Sequence, residues 1–281
     1  MTKRYHRRFW AIVIAAPVLF LGVWLAQNGI VGSATKRAKI AYYAGEYARA
    51  IELLKPEAAR GNIFANAALG WMYDRGEGLA EDNAEAARLY QIAADGGDVG
   101  SASNLAELYT KGEGVAQDQA KARHLFEVAA AAGQAEAQLA LGLMMQDGIG
   151  GPRDKATGRL WISRAAAQGE AAAQYEMGLY FLNENRADDA FERAMGFFES
   201  AALQGETRAQ TELGRIYQLG EHVSQNYVRA YLWYTVAKQG GNVEAKQLRA
   251  AVRVHLSAGD LEHARRRLEL CEQYGGEQCL F

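Results

Sequence analysis

Asp98–Gly133, DVGSASNLAELYTKGEGVAQDQAKARHLFEVAAAAG, reads as two helices joined by a turn. Ala102, Leu105, Ala106 and Leu108–Tyr109 recur at helical spacing. Gly112 and Gly114 interrupt that pattern where a tight turn needs backbone conformations with positive φ. Val115 follows as an apolar plug. Asp118 stands where a second helix should begin, and its carboxylate suits the unpaired N–H groups of a first turn. Ala122, Leu125, Phe126, Ala129 and Ala130 form that helix's apolar stripe, and Gly133 ends it.

The unit repeats. Gly61, Gly97, Gly133, Gly169, Gly205 and Gly241 each fall 36 residues after the last. A small residue inside the first helix keeps the same register: Gly70, Ala106, Gly142, Gly178 and Gly214. So does a bulky pair in the second helix: Leu89–Tyr90, Leu125–Phe126, Trp161–Ile162, Phe197–Phe198 and Trp233–Tyr234. One helix pair cannot bury its own apolar face, so neighbouring pairs must stack. The expected fold is all-α, an α-solenoid with a 36-residue period.

The motif A-x-x-LG-x-x-Y-x-x-G-x-GV, an Asp, then A-x-x-(W/L)(Y/F)-x-x-AA-x-x-G resembles the Sel1-like repeat, a relative of the tetratricopeptide repeat. It stands as Leu69–Gly70, Tyr73, Gly76-Glu77-Gly78-Leu79 and Asp82. It returns as Leu105, Tyr109, Gly112-Glu113-Gly114-Val115 and Asp118, and as Leu213–Gly214, Tyr217 and Gly220. The resemblance covers roughly residues 40–281. It implies a scaffold for protein assembly without catalysis.

The 281 residues are 49% apolar, ample for a packed domain of ordinary size. A net charge of −2 argues against nucleic acid, which wants a basic face. Residues 1–8 are a basic leader, and Phe9 to Ala26 carries no charge. Those apolar residues reach about 27 Å as a helix, and Gly29–Val31 can extend them to a full bilayer core. Residues 9–31 are therefore expected to be a transmembrane anchor, with Trp10 and Trp24 near its ends. The leader would stay in the cytoplasm and the repeats would lie in the periplasm. A cleaved signal is the competing reading, since Gly32-Ser33-Ala34 has the small residues a peptidase needs.

Residues 32–39 read as a linker and 40–61 as a tetratricopeptide-like N-terminal cap turning at Gly45-Glu46-Tyr47. Five repeats follow over 62–241. The fourth lacks the glycine turn, and Asp188 or Asp189 is expected to cap its second helix. Residues 242–281 form a C-terminal helical cap, with one helix to about Leu256 and a capping box at Ser257–Asp260. Arg253, Arg265, Arg266 and Arg267 give that end a solvated face. Cys271 and Cys279 flank Gly275–Gly276, a hinge that lets the sulfurs meet; in an exported chain they are expected to form a disulfide. The ending also resembles that of many exported Sel1-like proteins.

No catalytic constellation emerges. There is no H-E-x-x-H, no G-x-S-x-G and no P-loop, and His255 and His263 flank a helix break. Gly76-Glu77-Gly78 has no strand before it and returns every 36 residues, so turn geometry explains it. Asp74, Glu77, Glu81 and Asp82 read as caps and solvated acids rather than calcium ligands. No cofactor and no metal are expected.

What remains is a surface. The resemblance implies that first helices line a concave groove. If Leu69, Leu105, Leu141, Met177 and Leu213 point to the core, residues two positions either side point into that groove. These are Ala67 and Trp71, Ser103 and Glu107, Leu139 and Leu143, Tyr175 and Leu179, and Thr211 and Arg215. One reading is an apolar trough with Glu107 at one end and Arg215 at the other, suited to a peptide or helix of a protein partner. The other has the same apolar residues packed on the next helix pair. A periplasmic glycan- or peptidoglycan-binding module is the alternative function; it wants clustered aromatics, whereas Trp71 and Tyr175 lie far apart in the array.

Overall fold

A computed structural model describes residues 33–183 and 189–274. The expected span over 9–31, Asp188 and Cys279 lie outside the described residues. Among those described, no helix is long and apolar enough to cross a membrane.

Every described element is a helix or the turn between two. In chain order they are α1 Ser33–Tyr43, α2 Tyr47–Ala59, α3 Ile63–Arg75, α4 Asn83–Asp95, α5 Val99–Lys111, α6 Gln119–Ala131 and α7 Ala135–Asp147. Then come α8 Lys155–Ala167, α9 Ala171–Asn183, α10 Ala190–Leu203, α11 Thr207–Leu219, α12 Tyr227–Gln239, α13 Val243–Arg253 and α14 Ala258–Tyr274. They form two compact units, one up to Asp118 and one from Gln119 onward. In the first, Ile51, Leu54, Phe64, Leu69, Met72 and Leu89 make the core. In the second, Ile162, Met177, Phe198, Leu213, Trp233 and Tyr234 do.

The expected linker is helical from Ser33, so the cap begins before Ile40. Ala38 is buried, and Ala41 with it, against the unit's core, which is what stabilises so short and polar a helix. The helix after the last repeat stops at Arg253, before Leu256. Beyond it the capping box forms as read: Ser257 N–H donates to the Asp260 carboxylate at 2.9 Å, and Asp260 N–H donates to Ser257 Oγ at 3.1 Å. Asp189 stands before α10 with φ −95° and ψ 1°, and its side chain makes no cap hydrogen bond. That backbone is not extended, so the carboxylate does not turn back on the helix start.

Each second helix ends in the same joint. Gly97 has φ 93°, where a side chain would be strained. Its N–H donates to Ala94 O at 2.9 Å, and the next N–H, of Asp98, donates to Ala93 O at 2.9 Å. Asp98 then accepts at 2.7 Å from Ser101 N–H, capping the following helix. One residue therefore closes a helix with its backbone and opens the next with its side chain. Asn62, Glu206 and Asn242 do the same. The turn inside a repeat is closed by the other acid: Asp154 N–H donates to Met145 O at 2.8 Å while its carboxylate takes the N–H groups of Ala156 and Thr157. Asp82 and Asn226 repeat that arrangement.

Within a repeat, the small residue of the first helix receives the second member of the bulky pair. A Cβ on Gly178 would lie 2.6 Å from the Phe198 ring, and one on Gly214 would lie 2.4 Å from the Tyr234 ring. Both rings are fully buried. Buried glutamines bind the repeats of the second unit together. Gln138, Gln174 and Gln210 donate to Ala130 O, Ala166 O and Ala202 O, eight residues back. Gln168 then donates to Gln138 Oε1 at 2.8 Å, and Gln204 to Gln174 Oε1 at 2.8 Å. The next rung is missing, because Gly240 stands in that register, and Gln210 Oε1 is buried without a partner among the described residues.

Candidate partner-binding surface

In the first unit, Trp71 is half-buried on α3 and committed to its own fold. Its indole N–H donates to Tyr42 Oη at 3.1 Å, and Tyr42 donates to Glu77 at 2.6 Å. The Arg75 guanidinium lies 4.4 Å from the Trp71 ring. Tyr43 and Tyr47 each set a ring 5.5 Å from that of Tyr42. Burial raises the Tyr42 phenol far above its ordinary range, and the Glu77 carboxylate beside it adds to the shift, so it stays a donor. Trp71 is thus no lone aromatic. The chain before the repeats brings Tyr42 to it, with Tyr43 and Tyr47 packed on Tyr42, a clustering that spacing within the repeats could not reveal. Glu107 is exposed and paired with Lys111 at 3.5 Å.

The acids Asp74, Glu77 and Asp82 are accounted for within this unit. Asp74 accepts from Tyr90 at 3.3 Å, Glu77 from Tyr42, and Asp82 caps α4. No group of three or more metal-ligating side chains gathers among the described residues.

In the second unit, Leu139, Leu143, Tyr175 and Leu179 are half-buried and pack against the core cluster. They are neither sealed inside nor fully displayed. Thr211 departs from the expected register: it is buried, its hydroxyl donating to Thr207 O at 2.7 Å. Beside that register stand Glu212 and Glu176, half-buried, and Arg208, exposed, which the two-residue offset passes over.

Arg215 is not a free positive end. It donates to Glu212 at 2.7 Å and also to Glu244, on α13. Arg208 is held likewise, 3.0 Å from Glu206 and 3.4 Å from Glu176 on α9, with its guanidinium 4.4 Å from the Tyr175 ring. Burial raises the Glu176 carboxyl above its ordinary range; Arg208 pulls it down, while Glu206 and Asp147 push it up. Glu212 is raised by burial too, with Arg215 opposing and Glu244 adding. A signal for these residues was present in the chain. Glu176 and Glu212 are 36 residues apart, as are Arg208 and Glu244, so each pair occupies one register of the repeat.

Stacked helix hairpins whose first-helix side keeps apolar and charged groups at the surface define a repeat scaffold, a class of protein that works by presenting a face. The Sel1 repeat family model matches residues 63–98, 100–134, 135–170, 171–206 and 207–242, and the chain belongs to that family. Sel1 repeat solenoids generally mediate protein–protein interaction and are typically non-catalytic. A Sel1 repeat protein from Oxalobacter formigenes is similar, at 25% identity and TM-score 0.74, over 88% of this chain and 100% of that one. The protein c5321, a protective antigen present in uropathogenic Escherichia coli strains, shares the fold at 24% identity and TM-score 0.70, over 91% of this chain and 56% of that one. No curated protein matches.

Proposed function

We propose that this chain is a non-catalytic scaffold or adaptor that docks a protein or peptide partner on the first-helix side of its repeats, within an envelope complex. The observation that carries the reading is the half-exposed apolar set Leu139, Leu143, Tyr175 and Leu179 of the second unit. A helix face that only needed solubility would place polar groups there. The uncharged run over 9–31 supports an inner-membrane anchor, with the repeats in the periplasm. Cross-linked capture from membranes tests the docking. Tyr175→Ala and Leu179→Ala should abolish it while melting like the unaltered chain by circular dichroism. A collapse of the melt comparable to that of Leu141→Ala, whose side chain is fully buried, would make them core and refute the surface. Alkaline phosphatase fused at the C-terminus should be active; an inactive fusion refutes the periplasmic placement.

A second reading, glycan binding, gains one observation: Tyr42, Tyr43, Tyr47 and Trp71 gather at one place, Tyr43 exposed. Retention on peptidoglycan that Tyr43→Ala abolishes would favour it.

A further inference from the structure

The docking reading leaves the partner's chemistry open, and the charges on α9, α11 and α13 narrow it. In the ion pairs there, two arginines serve four glutamates: Arg208 holds Glu176 and Glu206, and Arg215 holds Glu212 and Glu244. The other cations of α13, Lys246, Arg249 and Arg253, take no part in these pairs, and Arg249 donates to Tyr231 instead. Asp147, at the end of α7, adds repulsion on Glu176. Glu212 is also repelled by Glu244, and burial, with the Glu212 charge adding to it, raises the Tyr175 phenol. Within these pairs carboxylates outnumber guanidiniums two to one, and Glu176 and Glu212 are only 24% and 16% exposed. An isolated surface acid is easily solvated; these are partly shielded from water and unevenly neutralised, an arrangement that costs stability. The apolar side chains of Tyr175 and Leu179 lie on the same helix as Glu176.

We propose that this face receives a partner segment carrying lysine or arginine beside apolar residues, its cations binding the carboxylate charge that Arg208 and Arg215 leave uncompensated and its apolar side chains resting on Tyr175 and Leu179. The inference rests on the docking reading above and adds the partner's charge. Charge complementarity of this kind selects partners and speeds their encounter.

The test uses the full chain and three fluorescein-labelled amphipathic peptides of one length, built from leucine with lysine, with glutamine or with glutamate, read by fluorescence anisotropy. The leucine–lysine peptide should bind best. Replacing both acids, Glu176→Gln with Glu212→Gln, should weaken it at least about ten-fold, as truncating charges at an interface does. Arg215→Gln should tighten it, because an internal competitor for Glu212 and Glu244 is gone. Glu262→Gln with Glu269→Gln, on exposed α14, should change nothing. If the lysine peptide binds no better than the glutamine one, or the α14 variant loses as much as the Glu176/Glu212 variant, the proposal is overturned. The two layers fail separately. Equal binding of lysine and glutamine peptides, both lost on Tyr175→Ala, refutes the basic partner and leaves docking standing. No binding of any peptide, with membrane capture unaffected by Tyr175→Ala, refutes both.

Discussion

Rebuilding the missing glutamine rung is the sharpest test of how the second unit holds together. Gln168 and Gln204 each donate to the glutamine 30 residues earlier, whereas Gly240 leaves Gln210 Oε1 buried and unpaired. Simple replacement of the glycine is blocked. A Cβ on Gly240 would lie 2.5 Å from Thr207 Cγ2. The two intact rungs have Ala135 and Ala171 in the register of Thr207, so glutamine and alanine go together, as do glycine and the branched residue. The perturbation is therefore Gly240→Gln combined with Thr207→Ala. An unpaired buried acceptor costs about 1–3 kcal/mol, most of which a new donor should recover. Gly240 has φ −74°, open to any residue, so replacing the glycine adds about 0.4–1 kcal/mol by restricting the unfolded chain. Removing the Thr207 methyl costs about 0.8 kcal/mol, largely returned by alanine's helix preference. The double variant should be more stable by about 1–3 kcal/mol. Gly240→Gln alone should gain nothing, because overpacking costs about 1–3 kcal/mol. Urea unfolding followed by circular dichroism gives the four corners of the cycle, and amide exchange over α12 and α13 localises the gain, since a repeat array need not unfold as one unit. A coupling within about 0.5 kcal/mol of zero, the scatter expected of independent sites, would refute the rung.

Gly178→Ala should destabilise: overpacking against the Phe198 ring, about 1–3 kcal/mol, opposes a helix-propensity gain near 1 kcal/mol. Gly196→Ala, where an added Cβ meets nothing within 4 Å, should instead stabilise by up to about 1 kcal/mol; equal effects at both sites would refute the ring-in-notch packing. Glu212→Gln should stabilise the chain at neutral pH, because burial holds the folded carboxyl above its unfolded value and the charged form is disfavoured on folding. The gain should be present above the folded pKa and vanish as pH falls to the unfolded value, where the native carboxyl is already protonated; a gain that grows on acidification would contradict the assignment. Titrating the unreduced, unfolded chain should find no free thiol if Cys271 and Cys279 are joined, and two titratable thiols would exclude the bond.

The repeat itself was legible because its signals sit on single residues whose roles are local. A glycine with positive φ, an aspartate before a helix and a small residue beneath a ring each leave a mark at one position, and the 36-residue period amplifies it. Surface orientation was less legible. A fixed offset puts Thr211 in the groove, yet a helix face is set by rotation about its axis, and one residue corresponds to about 100°. That is enough to bury Thr211 while Glu212 beside it stays partly exposed. Arg215 looked like a free charge because its partners are three residues away and on the next helix pair. Tyr42, which meets Trp71, and Tyr43 and Tyr47, which meet Tyr42, belong to α1 and α2, outside the repeat, where the period gives no guidance. In the sequence Asp98 marks only the start of the repeat; its double duty emerges from the joint.

That joint has a consequence for recognition. Where the residue that closes one helix also caps the next, as Glu206 does between α10 and α11, no slack segment separates the two helices, and main-chain geometry together with the packed side chains fixes how they meet. A ligand laid across α9 and α11 meets anchor points at a fixed interval and has to carry its own contacts at that interval. Selection among partners is then partly metrical: two segments of identical composition, differing only in the distance between their anchors, would be told apart.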